Sequence, residues 1–179
     1  MKVCAQQFNL YLAWLAAILL VCGCETNSKD KEKDAVAALR VHLENSKNPE
    51  GTGQTISLIR SNPVVVTIAS DPVLTEASIM GARMVDTPGG GYAVDVKFDD
   101  TGTFTLEQFS AANPGKHFVI FGQWGVKLAN GRWLSAPLIT HRIVNGELTF
   151  TPDASRDETL QLVTGLANIA KKNLKATFK

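Results

Sequence analysis

The chain is 179 residues long, with 18 basic and 17 acidic side chains and three histidines. Charge this evenly balanced gives no support for nucleic acid or an anionic membrane as a partner. The three cysteines are Cys4, Cys22 and Cys24, so the chain beyond them holds no disulfide, no cysteine metal site and no cysteine nucleophile.

Lys2 precedes an apolar run that includes Leu10, Leu12, Trp14, Leu15, Ile18, Leu19, Leu20 and Val21. The run ends at Val21-Cys22-Gly23-Cys24 and gives way to Glu25-Thr26-Asn27-Ser28. That order is the basic region, apolar region and small-residue cut of a secretory signal. A cysteine at the cut resembles the lipobox of bacterial lipoproteins, although Cys22 stands where that motif usually has Ala or Ser. Residues 1–23 are therefore expected to be a lipoprotein signal peptide and Cys24 the acylated first residue. The uncharged run from Leu10 falls short of the ~20 residues that cross a bilayer comfortably. An uncleaved signal anchor and an ordinary secretory signal are the other two readings of the segment. No later stretch approaches membrane length.

Residues 24–38 form a tether, since seven of the ten residues from Glu25 to Asp34 are charged with mixed sign and cannot bury enough to fold. The folded domain is placed at 39–175. Leu39, Val41 and Leu43 alternate with polar residues as in a half-buried strand. Asn45 to Gly53 is rich in turn residues, and alternation resumes at Ile56 and Leu58. After Pro63, Val64 to Ile68 is a β-branched strand. Leu74 to Met80 reads as a short helical turn. Ala82–Val85 and Tyr92–Phe98 read as strands around the turn Pro88-Gly89-Gly90-Gly91. Asp99, Asp100 and Thr101 offer N-caps to a helix whose face is Gly102, Leu106, Phe109 and Asn113, stopped by Pro114-Gly115. Phe118–Phe121 is apolar throughout, as in a strand buried on both faces.

Asn130-Gly131 predicts a hairpin turn, because a type I′ turn needs positive φ at both central residues. Trp133–Thr140 and Glu147–Phe150 read as the last strands, joined at Asn145-Gly146. Ser155 and Glu158 form a capping box. Leu162, Val163, Leu166, Ile169 and Ala170 then make one apolar helical stripe. The expected fold class is α+β: a mainly antiparallel sheet with two amphipathic helices packed on one face.

Several of these segments, in this order, resemble the head subdomain of the first periplasmic domain of SecD, the protein-export accessory subunit. Asp71-Pro72-Val73-Leu74-Thr75 resembles its "EPVLTG" segment. Tyr92–Phe98 followed by Gly102, Leu106 and Phe109 resembles its strand and "GAKKF" helix. Asn113-Pro114-Gly115-Lys116 with Phe118-Val119-Ile120 resembles "NxGKxLAI". Asn130-Gly131-Arg132-Trp133-Leu134-Ser135-Ala136-Pro137-Leu138-Ile139 resembles "DGKVISAPVI", and the last helix resembles the family's "T-x-E-E-A" helix. Gly122 to Ala129, with Gln123 and Trp124, looks like an insertion. SecD continues into membrane helices that carry its proton-coupled movement. The resemblance here covers only the part that implies holding of an emerging polypeptide.

Catalytic and metal readings each meet a plainer competitor. His42, His117 and His141 share no metal-ligand spacing and are expected at surfaces or strand edges. Asp99-Asp100 stands where carboxylates favour the positive end of a helix. Gly89-Gly90-Gly91 joins strand to strand, with no helix N-terminus to hold phosphate. Ser135 has neither a nucleophile elbow nor an evident base. No enzyme activity, cofactor, metal or small-molecule substrate is expected. The functional signal is aromatic. Trp124 and Trp133 flank a Gly-rich hairpin arm, and Phe104 falls away from the buried face of its helix. Core packing would account for the tryptophans. A contact surface for polypeptide or partner would account for all three.

The sequence thus predicts a non-catalytic lipoprotein of the bacterial cell envelope, held to a membrane by lipid on Cys24 with its domain facing periplasm or exterior. It would bind an exported polypeptide or a translocase or assembly partner through a SecD head-like domain. The alternative is a structural lipoprotein of an unrelated envelope complex.

Overall fold

A computed structural model describes residues 35–45, 53–58 and 63–177. The expected signal peptide, Cys24 and the expected tether as far as Asp34 lie outside these residues. Among the described residues no helix is long and apolar enough to cross a membrane.

The fold is α+β, and every strand pairing is antiparallel. Strand β1 (Ala38–Leu43) lies between β4 (Leu74–Thr75) and β7 (Phe118–Trp124), and β8 (Asn130–Ser135) completes a four-stranded sheet. Strands β2 (Gly53–Leu58) and β3 (Val64–Ala69) form a two-stranded arm. Strands β5 (Ile79–Asp86), β6 (Tyr92–Phe98) and β9 (Glu147–Phe150) form a third sheet.

Helix α1 (Asp100–Ala112) follows β6 directly. The Gly102 N–H donates to the Asp99 carboxylate at 2.7 Å, which satisfies one of the free donors of the first turn. Gly102 itself is required by close approach, because a Cβ there would meet Ser78 Cβ and Phe98 Cβ at 2.9 Å. Helix α2 (Arg156–Thr177) opens on the expected capping box. The Ser155 N–H donates to Glu158 Oε2 at 2.8 Å, and the Glu158 N–H donates to Ser155 Oγ at 3.2 Å.

β7 organises the interior because it is buried on both faces. Phe118, Ile120 and Trp124 face the main core, with Leu39, Val41, Phe98, Leu134, Leu162 and Leu166. Val119 points the other way into a smaller cluster with Ile56, Leu58 and Ile68, flanked by Val66, Trp133 and Ala136. The helix stripe and the doubly buried strand are as the sequence predicts. On the face of the β7 sheet that the helices leave open, β2–β3 closes over the second cluster.

Three local expectations are corrected. Leu74 to Met80 is not one helical turn; it is β4, a 3₁₀ turn at Glu76–Ser78 and the start of β5. The turn is capped by Thr75 Oγ1, which accepts the Ala77 N–H at 3.4 Å. Asn130-Gly131 is not the hairpin turn. β7 continues to Trp124, and Asn130 and Gly131 pair with Trp124 and Gln123 inside the ladder. The reversal falls at residues 125–129, where Gly125, Lys127 and Leu128 supply φ values of 87°, 53° and 57°. The segment that looks inserted is therefore the end of one strand plus the turn. Finally, the strand from Trp133 stops at Ser135, and Glu147–Phe150 pairs with β6, not with β8.

Candidate functional site

The arm does not close flush on the sheet. Two adjoining clefts of about 500 and 480 Å³ run between it, β8 and residues 151–153. Leu58, Val64, Val66, Leu134 and Ala136 give the first an apolar lining, and Pro63, Phe121 and Trp133 line the second. Leu58 and Asp153 belong to both. The arm also carries apolar surface outward at Val65, which is 68 % exposed, and Val64 at the cleft is itself 46 % exposed.

Alternation explains this arrangement. Register places Leu58 opposite Val64 and Ile56 opposite Val66, so these four share the inner face of the arm. On the facing sheet, a β-bulge pairs Ile120 with Ser135 and Phe121 with Trp133 and leaves Leu134 extra. Leu134 turns into the main core while Trp133 stays under the arm. The Trp133 ring packs on Phe121 at 5.0 Å and meets the His42 ring edge-on at 5.4 Å.

The histidines are held in structural roles. His42 Nδ1 donates to the Ala69 carbonyl at 3.0 Å, tying β1 to the arm. Glu44 Oε2 accepts both the His117 backbone N–H at 3.0 Å and Nδ1 at 2.6 Å, fastening the end of β1 to the start of β7. His141 Nδ1 lies 2.9 Å from Thr140 Oγ1. His117 and Ser135 line the same cleft, which invites a Ser-His-Glu reading. Register argues against it: Ser135 pairs with Ile120, three positions from His117 and so roughly 10 Å along the strand. Among the described residues no three His, Cys, Asp or Glu side chains gather to hold a metal. Asp99 is the α1 cap. Gly89 and Gly90 form a turn closed by Thr87, whose carbonyl accepts the Gly90 N–H at 3.2 Å.

Residues 53–168 match the family model of the SecDF P1 head subdomain. The chain belongs to this family. Two solved structures share the fold. One is described as a membrane component SecDF that enhances protein export; it is 20 % identical, with a TM-score of 0.54, and the match covers 83 % of this chain and 71 % of that one. The other, SecDF in a super-membrane-facing form, is 19 % identical with a TM-score of 0.54, and the match covers 79 % of this chain and 21 % of that one. A comparison with curated proteins gives no match. The span matched to the SecDF head includes the arm, both clefts, α1 and most of α2, whereas β1 lies before it.

Within this head the three aromatic candidates part company. Trp124 is 1 % exposed in the main core, with the Arg132 guanidinium 5.0 Å from its ring centroid. A residue so enclosed offers no contact surface, so Trp124 is corrected to a core residue; its place at the even end of β7 turns it toward the helices. Trp133 is half-buried and borders the cleft. Phe104 is 59 % exposed on α1, on a different element from the clefts. Sequence reasoning missed Leu58, Val64 and Val66 as cleft residues. Their signal was present in the alternation of β2 and β3, but nothing in the sequence said which sheet face that arm would cover.

Proposed function

We propose that this protein is an envelope lipoprotein, acylated at Cys24, whose SecDF head domain holds extended polypeptide in the clefts beneath the β2–β3 arm during protein export. The observation that carries the reading is the cleft itself: apolar side chains of the arm and of β8 line it, with the half-exposed Trp133 beside them. Apolar pockets along a strand suit alternate side chains of an extended chain, and backbone pairing asks little of its sequence. Trp supplies a large rigid surface for such a grip. The family supports the export setting, and the cysteine at the end of the apolar leader supports the anchor. Phe104 is a secondary contact in this reading, on its own exposed helix face. Client selection is expected to follow apolar content, since the lining offers few fixed charges.

The test is binding of a reduced, unfolded polypeptide to the protein. Trp133→Ala is expected to weaken binding by about 2 kcal/mol, and Phe104→Ala by less. Absence of micromolar binding by the unaltered protein, or a Trp133→Ala variant that binds normally, would refute the cleft. Intact mass decides the anchor separately: a chain that keeps Met1 and carries no acyl mass is not a lipoprotein.

A further inference from the structure

The even net charge hides an uneven distribution. From Thr159 to Lys179 the sequence contains Lys171, Lys172, Lys175 and Lys179 and no acidic residue. Lys171, Lys172 and Lys175 are exposed on α2, at spacings of three and four that make neighbours on a helix surface. None of the three enters an ion pair among the described residues. One carboxylate is placed near this end of the helix. Glu76 accepts the Leu39 N–H at 3.2 Å through that carboxylate, and its carbonyl accepts from Asn173.

The path by which the polypeptide joins the domain gives these lysines a direction. Asn168 Nδ2 donates to the Ala35 carbonyl at 3.1 Å. A Cβ on Gly165 would meet Ala37 at 2.7 Å, so backbone and helix are in close contact there. Ala37 against Gly165 and Ala35 against Asn168 means the chain runs antiparallel to α2, with lower residue numbers toward the helix C-terminus. Gly165, Asn168, Lys172 and Lys175 follow at i, i+3, i+7 and i+10, which is one side of a helix. Ala35 is therefore aimed along the line on which Lys172 and Lys175 stand. An extended chain covers at most about 3.5 Å per residue, so Cys24 is confined to within roughly 40 Å of Ala35.

We propose that the lysine-bearing end of α2 docks on anionic phospholipid headgroups of the membrane that holds the Cys24 acyl chains. The proposal rests on the lipoprotein reading. An acyl anchor alone leaves a domain free to turn, whereas a basic patch that the anchor keeps within reach of the membrane is a second attachment and selects the end that faces the bilayer. Each lysine near an anionic surface strengthens contact roughly fivefold, and three together about a hundredfold. The attraction fades within a Debye length of about 10 Å, so only lysines brought close by the anchor contribute.

The full chain, as purified from membranes, is placed in vesicles of phosphatidylcholine alone and in vesicles about one-third phosphatidylglycerol. Acetylation of each lysine is followed by peptide mass spectrometry. Lys171, Lys172 and Lys175 are expected to react at least about threefold more slowly on the anionic vesicles, with the protection lost near 0.5 M salt. Lys97, Lys116 and Lys127 should be unchanged. Equal rates on both vesicles, or slowing shared with Lys116 and Lys127, would overturn the proposal. So would protection that appears only in native membranes, which would point to a protein partner. Acyl mass is read on the same sample, so loss of the anchor and loss of the patch register separately.

Discussion

The two faces of the β7 sheet are closed by unequal means. Against the helix face stand Phe118, Ile120 and Trp124 in a continuous core that also takes Leu162, Leu166 and Ala170 from α2. Polar ties brace that side: Arg132 to Glu158, and Asn173 to the carbonyls of Glu76, Ala77 and Ile79. Against the arm face stand four buried residues, Ile56, Leu58, Ile68 and Val119, with three partly buried neighbours. The arm hangs from the end of β1 through the Asn45 N–H to the Thr67 carbonyl at 2.8 Å and through the His42 ring. A small cluster opens at lower free energy than a continuous core. Rigidity thus sits on the helix face and adjustability on the face that carries the clefts.

The comparison breaks first at Trp124. Trp124→Ala is expected to destabilise the domain by about 3–5 kcal/mol, measured by denaturant unfolding. A loss under about 1 kcal/mol would mean that the helix face is not the rigid one. On the opposite face, Ile68→Ala should cost about 2–3 kcal/mol or less. Its loosening should be confined to β2 and β3 in amide hydrogen exchange. Equal acceleration across β7 and α2 would show that the two faces unfold as one unit.

The smallest effect concerns the α2 cap, and it sharpens the helix side. Glu158 sits below the ordinary 4.5 of a glutamate, chiefly through the Ser155 backbone N–H, with partial burial opposing and the Ser155 hydroxyl and Arg132 adding. The folded value lies below the unfolded one. The stabilisation is therefore present in full above the unfolded value and disappears as pH falls through the folded one. Gln can keep the capping hydrogen bond but not the charge, so Glu158→Gln should lower stability by about 0.3–1 kcal/mol at neutral pH, and the gap to the unaltered protein should narrow as pH drops below about 4.5. A gap that stays constant down to pH 3 would remove Glu158 from this role.

Much of the fold is legible because local rules and tertiary demands agree. Ser155 and Glu158 can serve one helix start, and Phe118 to Phe121 can only be a strand with two buried faces. The family resemblance, carried mainly by Ser135-Ala136-Pro137 after Asn130-Gly131, identified the head even though that dipeptide lies in a strand. Asn-Gly misled because turn propensity acts over two residues, whereas Gly125 ends the strand earlier and the bulge at Leu134 resets the pairing. The candidate site was less legible. Trp124 and Trp133 look alike in sequence, flanking one turn, yet strand alternation and the bulge send them to opposite faces. Which face the arm would cover depends on contacts between residues far apart in the chain, which periodicity does not encode.

The position of β1 has a consequence for how this protein reaches its place of work. Leu39 has Gly122 as its partner across the sheet, and Ala37 lies against Gly165. One sheet neighbour of the first strand, β4, follows in the first half of the chain, but its other neighbour, β7, and the helix beside Ala37 come only later, and closure over such separations is slow. Any passage across a membrane with the N-terminus leading would deliver β1 without β7, and with its apolar core face open, until α2 had followed. A domain built in this way closes its main core only once its last helix has arrived.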